Sequence, residues 1–201
     1  MWVLAFDTAS PDPGLGLLRK DPDGSHAYWR QPLGTGSAEL LPGALEVLLS
    51  SAGISINQIG RIGVLSGPGS FTGIRAGLAF ARGLSRALEI PLMAVGTFEA
   101  ALVARPEPAE AVFLLEAGRG EVHAVERTGT AIPRPRLAKR HEIVQSPEEG
   151  GRPVFEIGTF DLVEAAAALV AENGDRKTGL APMYGRPSAA EERFGPPEVC
   201  K

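Results

Sequence analysis

Short apolar runs broken by turn residues open the chain, and longer runs with a helical rhythm follow them. Trp2 to Asp7, Gly14 to Arg19 and His26 to Gln31 are the first three, punctuated by Asp12-Pro13-Gly14 and Asp21-Pro22-Asp23-Gly24. Pro and Gly preset the backbone angles that reverse a chain, so this pattern predicts three strands in an antiparallel meander. From Ser37 to Ala52 the spacing changes. Leu41, Leu45, Leu48 and Ala52 recur at three or four residues, Leu40, Ala44 and Val47 widen that stripe, and Gly53 supplies a stop. Pro42 suits a first helical position, which puts the expected start of the regular helix there. Ile62 to Leu65 then reads as a strand, Ser70 to Leu88 as a helix, Leu92 to Val95 as a strand and Thr97 to Ala104 as a helix. The order β-β-β-α-β-α-β-α predicts a mixed sheet whose meander is joined to parallel strands by crossover helices.

Arg105-Pro106-Glu107-Pro108 reads as a linker between a first lobe, residues 1–104, and a smaller α/β lobe with a C-terminal tail, residues 105–201. In the second lobe, Val112 to Leu115 and Val122 to Val125 are strands around Gly118-Arg119-Gly120, and Val154 to Ile157 leads into a helix from Phe160 to Ala171. Gly129 to Gly150 carries Pro133, Pro135 and Pro147 with few apolar residues, the pattern of a loop holding at most one edge strand.

Composition narrows the function classes. Lys+Arg 20 against Asp+Glu 24 gives a net charge of −4, without the basic excess of a stand-alone nucleic-acid binder. The single Cys200 excludes an intramolecular disulfide framework and a cysteine-based zinc site. Met1 leads directly into an apolar run without a basic segment, and no uncharged apolar stretch approaches the roughly 18 residues of a membrane helix. The expectation is a cytoplasmic protein without a membrane partner.

The most informative stretch is Ser66-Gly67-Pro68-Gly69-Ser70-Phe71-Thr72-Gly73-Ile74-Arg75, between a strand and a long helix. Glycines let the backbone approach a ligand closely, and free N–H groups at a helix N-terminus favour phosphate. The stretch is not a Walker loop, since no Lys follows, nor a Gly-x-Gly-x-x-Gly turn, since Thr72 stands three after Gly69. Two readings stay open: an anion site, or a turn whose Ser70 caps the helix. Within that helix Gly73, Gly77, Ala81 and Ser85 recur every four residues. Interior glycines cost about 1 kcal/mol each against Ala, so a close backbone approach is expected along that stripe. Arg75, Arg82 and Arg86 follow another face, which suits solvent or a partner.

These residues bear a resemblance to the TsaB (YeaZ) family, nonclassical members of the actin, Hsp70 and sugar kinase superfamily. It rests on Leu4-Ala5-Phe6-Asp7-Thr8-Ala9, Leu40-Leu41-Pro42, the segment from Gly67 to Arg75, and Pro91-Leu92 to Val95 followed by Thr97. Gly118-Arg119-Gly120-Glu121-Val122 and Pro182-Met183-Tyr184-Gly185-Arg186 echo it weakly. The resemblance implies a two-lobe RNase H-like, actin-like ATPase fold. It also implies a non-catalytic scaffold role in making threonylcarbamoyladenosine beside the anticodon of transfer RNA. The implied partners are a TsaD-type transferase and a TsaE-type ATPase, with a homodimer when the chain is alone and transfer RNA reached only through the complex. No residue is expected to be catalytic and no metal or cofactor intrinsic, with ATP or ADP and Mg held, if at all, at a partner interface.

By the same resemblance Asp7, Thr8, Gly67, Gly69, Ser70 and Thr72 are candidate nucleotide or phosphate contacts, and Leu41, Leu45, Leu48, Ile74, Arg75, Leu78 and Arg82 candidate partner contacts. Asp7 at a strand end has two open readings, a carboxylate holding Mg²⁺ through water or one bonding nearby turn amides. Gly36 and Glu116 depart from the family pattern, which commonly has a histidine and an aspartate there. His26, His123 and His141 form no paired metal motif, and Gln145 stands where a zincin would need its second histidine. A Ser70, His123, Asp7 arrangement lacks a nucleophile elbow. The alternatives kept are a stand-alone ATPase or phosphotransferase using Asp7 and the 67–75 turn, and a serine or metal-dependent peptidase.

Overall fold

In the computed structural model, which describes residues 1–21, 26–33, 37–129, 133–143, 152–158, 161–173 and 183, alternation along the first strand divides the protein into layers. Strand β1 (Trp2–Asp7) sends Leu4 and Phe6 to one side and Val3 and Ala5 to the other, and both sides are buried. It pairs antiparallel with β2 (Gly14–Lys20), which pairs with β3 (His26–Pro32). On its other edge it pairs parallel with β4 (Ile59–Leu65), which pairs parallel with β5 (Leu92–Val95). The sheet order is β3-β2-β1-β4-β5, the mixed sheet expected from the element order.

Helices α1 (Ser37–Ala52) and α2 (Phe71–Leu88) cover one face. Leu41, Leu45 and Leu48 of α1 and Ala81 of α2 pack there with Leu4, Phe6, Leu15, Leu17, Ile62 and Val64. The helix starts at Ser37, with Pro42 inside it, one turn earlier than expected. The other face carries α5 (Leu162–Asn173), which lies across β1, β2 and β4 and packs on α3 (Thr97–Ala104). Its close seating rests on missing side chains. A Cβ on Gly16 would meet Val163, and one on Gly63 would meet Val170, both nearer than 3.0 Å. Ala165, Ala166 and Ala167 keep the buried side of α5 thin.

A second sheet has the order β8-β7-β6-β9, built from β6 (Glu110–Gly118), β7 (Glu121–Thr128), β8 (Arg136–Lys139) and β9 (Val154–Glu156). A short helix, α4 (Arg140–Ile143), follows β8. Phe113, Leu115 and Val125 of this sheet join the cluster that holds Val3, Ala5, Val163 and Ala166, so the two sheets share one core through α5. Tyr28 on β3 and Asp161 before α5 tie them at the rim: the Tyr28 hydroxyl donates to Asp161 Oδ1 at 3.1 Å, and Asp161 also accepts from the Val163 and Glu164 amides at 3.1 Å. Arg30 lies 3.5 Å from Asp161 and 2.6 Å from Asp12. Gly36, Gln145, Phe160, Cys200 and the tail after Pro187 lie outside the described residues.

Candidate functional site

The parallel strands β1, β4 and β5 end side by side at Asp7, Leu65 and Val95. In sheets of this kind ligands bind in the crevice beyond those carboxyl ends. Three turns meet there: residues 7–10 after β1, residues 66–70 before α2, and Gly96 before α3.

Asp7 is 1% exposed. Its Oδ1 accepts from the Ala9 and Ser10 amides, both at 2.9 Å, and its Oδ2 accepts from the Ser10 hydroxyl. The carboxylate therefore closes its own turn. Burial pushes its pKa up to about 6, against the lowering effect of the Ser10 and Ala9 bonds and of Arg30. A water-coordinated Mg²⁺ needs carboxylate oxygens that face an open shell. Asp7 offers none, so the residues present do not fit the ion. Among the described residues no three His, Cys, Asp or Glu side chains gather as a metal-ligand set.

Thr8 accounts for the glycine stripe of α2. Its hydroxyl donates to the Gly73 carbonyl at 2.7 Å. A Cβ on Gly73 would overlap the Thr8 carbonyl, and one on Gly77 would overlap the Thr8 hydroxyl. The close approach expected from the sequence is thus made with the strand-end turn. Gly83, off the stripe, meets nothing within 4 Å.

The glycine turn is filled in the same manner. Gly67 (φ +106°) and Gly69 (φ +155°) hold backbone angles that side chains disfavour. A Cβ on Gly69 would overlap the Ala9 carbonyl, which accepts from the Ser70 amide at 2.8 Å. A Cβ on Gly67 would overlap the carbonyl of Met183, whose own amide donates to the Ser66 carbonyl at 2.7 Å. Ser70 Oγ accepts from the Gly73 amide at 3.2 Å and caps α2. Of the candidate phosphate contacts, Asp7, Thr8, Gly67, Gly69 and Ser70 are each engaged by this chain's own atoms, and Thr72 stands exposed on the first turn of α2. The capping reading describes Ser70, and the turn-amide reading describes Asp7.

The expected partner face needs correction. Leu41, Leu45, Leu48 and Ile74 are buried in the chain's own core, because the sheet beneath α1 and α2 needs their side chains. Leu78 is half-buried and touches both core clusters. Arg75 and Arg82 are exposed, and Arg75 lies 4.0 Å over the Phe71 ring. Outward on α1 are instead Leu40, 46% exposed, and Val47, 51% exposed, with Gly43 between them. Their spacing of three and four residues puts all three on one helix face. That spacing was legible in the sequence, but which stripe met the sheet was not.

Sequence reasoning missed Ser10, although a serine three residues after a strand-end aspartate is a recognised turn pattern. Nor did it link Met183 or Gly96 to the 66–70 turn, since no local pattern does.

Comparison with known proteins places these features among relatives. The family model described as "TsaD: tRNA N6-adenosine threonylcarbamoyltransferase" matches residues 35–150. A tRNA threonylcarbamoyladenosine biosynthesis protein TsaB from Bacillus subtilis is 34% identical over 49% of this chain and 42% of its own length. A tRNA N6-adenosine threonylcarbamoyltransferase from Thermus thermophilus is 32% identical over 63% of this chain and 44% of its own. The chain thus spans less than half the length of each of these two relatives. The structure of YeaZ from Pseudomonas aeruginosa superposes with a TM-score of 0.67 at 17% identity, covering 91% of this chain and 99% of that one. The two share a mixed α/β fold with two mixed sheets.

Proposed function

Because this chain belongs to the tRNA N6-adenosine threonylcarbamoyltransferase family, matched over residues 35–150, we propose that it serves threonylcarbamoyladenosine formation on transfer RNA as a partner subunit rather than as the transferring enzyme. The observation that carries this reading is the self-filled crevice. Asp7 is committed to Ala9 and Ser10, Gly73 and Gly77 to Thr8, and Gly67 to Met183, so among the described residues this crevice is filled by the chain's own atoms.

The partner in this reading is a TsaD-type transferase, docked on the outer faces of α1 and α2. Leu40 and Val47 present apolar surface on α1, and Phe71, Arg75 and Arg82 are exposed on α2. Apolar side chains left in water on one helix face favour burial against another protein. A TsaE-type ATPase joins the complex, Mg-ATP or Mg-ADP binds at an interface with a partner, and transfer RNA is met only through the assembly. Alone, the chain pairs with a second copy through the same helices. Its place of work is the cytoplasm, and among the described residues no helix is long and apolar enough to cross a membrane.

The test is threonylcarbamoyl transfer to transfer RNA by the organism's own transferase and ATPase, with and without this protein. Dependence on the chain, with neither ATP hydrolysis nor transfer by the chain alone, is the expected result. Full transfer without it refutes the role. ATP hydrolysis by the isolated chain that is lost in Asp7→Ala would establish the stand-alone ATPase instead.

A further inference from the structure

Near its end, β7 places an arginine on the side that faces the core. Successive residues of a strand point to opposite faces, so Glu126 and Arg127 part company. Glu126 lies on the side of Val122 and Ala124, where it accepts from Arg136 at 2.6 Å and from Arg152. Arg127 shares its side with Val125, which packs with Phe113 and Leu115 in the core between the two sheets. It stands opposite Ala111 of β6 and is 4% exposed.

A guanidinium taken out of water needs its charge and its N–H groups met. Here they are met in part. Nη1 donates to the carbonyl of Arg105, at the C-terminus of α3, at 2.6 Å, and Cζ lies 5.3 Å over the Phe113 ring. Nε and Nη2 are buried without a hydrogen-bond partner among the described residues, and no ion pair joins Arg127 to a carboxylate there. The two unmet groups form a matched pair. In the planar guanidinium Nη2 lies on the same edge as Nε, so their N–H bonds run parallel, and that edge holds a carboxylate through two hydrogen bonds. Nη1, which would complete the end-on edge, is taken by Arg105. Arg105 also lines a cavity of about 480 Å³ between α3 and α5, with Val103, Asp161, Glu164 and Ala168 on its walls. Small-molecule sites commonly measure roughly 300–1,000 Å³.

We propose that the Nε–Nη2 edge of Arg127 binds the carboxylate of a small-molecule ligand whose remainder occupies that cavity. One guanidinium balances one carboxylate. A phosphate dianion would leave net negative charge in a place that already holds Asp161 and Glu164, which is costly where the dielectric is low, so the class is a monocarboxylate. The site uses neither Asp7 nor the 66–70 turn nor the outer face of α1, and it stands or falls without the partner-subunit role.

Sodium acetate is the probe, added to the full chain and compared with sodium chloride at equal ionic strength. The proton–nitrogen NMR signal of Arg127 Nε–H, identified by its loss in the variants below, should shift with acetate and saturate, while chloride leaves it in place. Acetate at several times its Kd should raise the melting midpoint of the parent by about 2–4 °C and leave that of Arg127→Met unchanged. Arg127→Lys keeps the charge without the parallel pair of donors, so it should bind acetate at least about tenfold more weakly; it serves if the methionine variant fails to fold. An Nε–H signal that acetate moves no further than chloride does overturns the proposal. So does an equal rise of the midpoint in parent and folded variant. Inorganic phosphate acting at a lower concentration than acetate overturns the assignment of a carboxylate.

Discussion

Replacing Asp7 by Asn isolates the cost of holding a charge in the buried turn after β1. The amide keeps the shape and can keep the bonds, its oxygen accepting from the Ala9 and Ser10 amides and its nitrogen donating to the Ser10 hydroxyl. What it removes is the ionisation. Burial raises the Asp7 pKa from 3.8 to about 6, so between those values the folded chain holds a proton that the unfolded chain has released. The stabilising contribution of this group is therefore fully present below about pH 4 and is lost as pH rises through about 6. At 1.36 kcal/mol per pH unit, the difference comes to about 3 kcal/mol. Urea unfolding of parent and Asp7→Asn at several pH values between about 4 and about 8 reads it. The variant's stability relative to the parent should climb by about 2–3 kcal/mol across that range, most steeply near pH 5. Other titrating groups cancel in the difference, apart from the minor influence of Arg30. A gap that stays constant with pH, or one that narrows as pH rises, refutes the account of Asp7 as a carboxylate whose desolvation outweighs its hydrogen bonds.

The other predictions concern packing and the partner face. Gly77→Ala should destabilise the chain by about 1–3 kcal/mol, since its methyl would overlap Thr8, whereas Gly83→Ala on the same helix meets nothing and should stabilise by about 0.5–1 kcal/mol; paired urea midpoints decide. Asp161→Ala removes the cap of α5 and leaves the Tyr28 hydroxyl without its acceptor, so a loss of about 2 kcal/mol is expected by thermal unfolding. Leu45→Asp should unfold the chain, because Leu45 is core. Val47→Asp, two residues on, should leave the circular dichroism spectrum and melting midpoint within about 0.5 kcal/mol of the parent while abolishing capture of the transferase; retained capture would remove α1 from the interface.

Element order and sheet type were legible in the sequence because they depend on local chemistry. Alternation along Trp2 to Asp7, turn residues at Asp12-Pro13-Gly14 and the change to helical spacing after Ser37 each act over a few residues, and the mixed sheet followed from their order. The glycines of α2 were legible as a demand for close approach, since nothing local offsets their cost. What they approach was not: only the fold sets Thr8, after β1, against Gly73 and Gly77, 65 and 69 residues later. The same holds for α5, whose alanines read as a weak helix of the second lobe until Gly16 and Gly63 of the first sheet admit it. The leucine stripe of α1 could face either the sheet or a partner, because apolar periodicity records that a face is buried and not what buries it. Asp7, Gly67 and Ser70 carried their residue types plainly, but whether those groups meet a ligand or the chain itself depends on Ala9, Ser10 and Met183 arriving at the same place, and that meeting is a property of the tertiary structure alone.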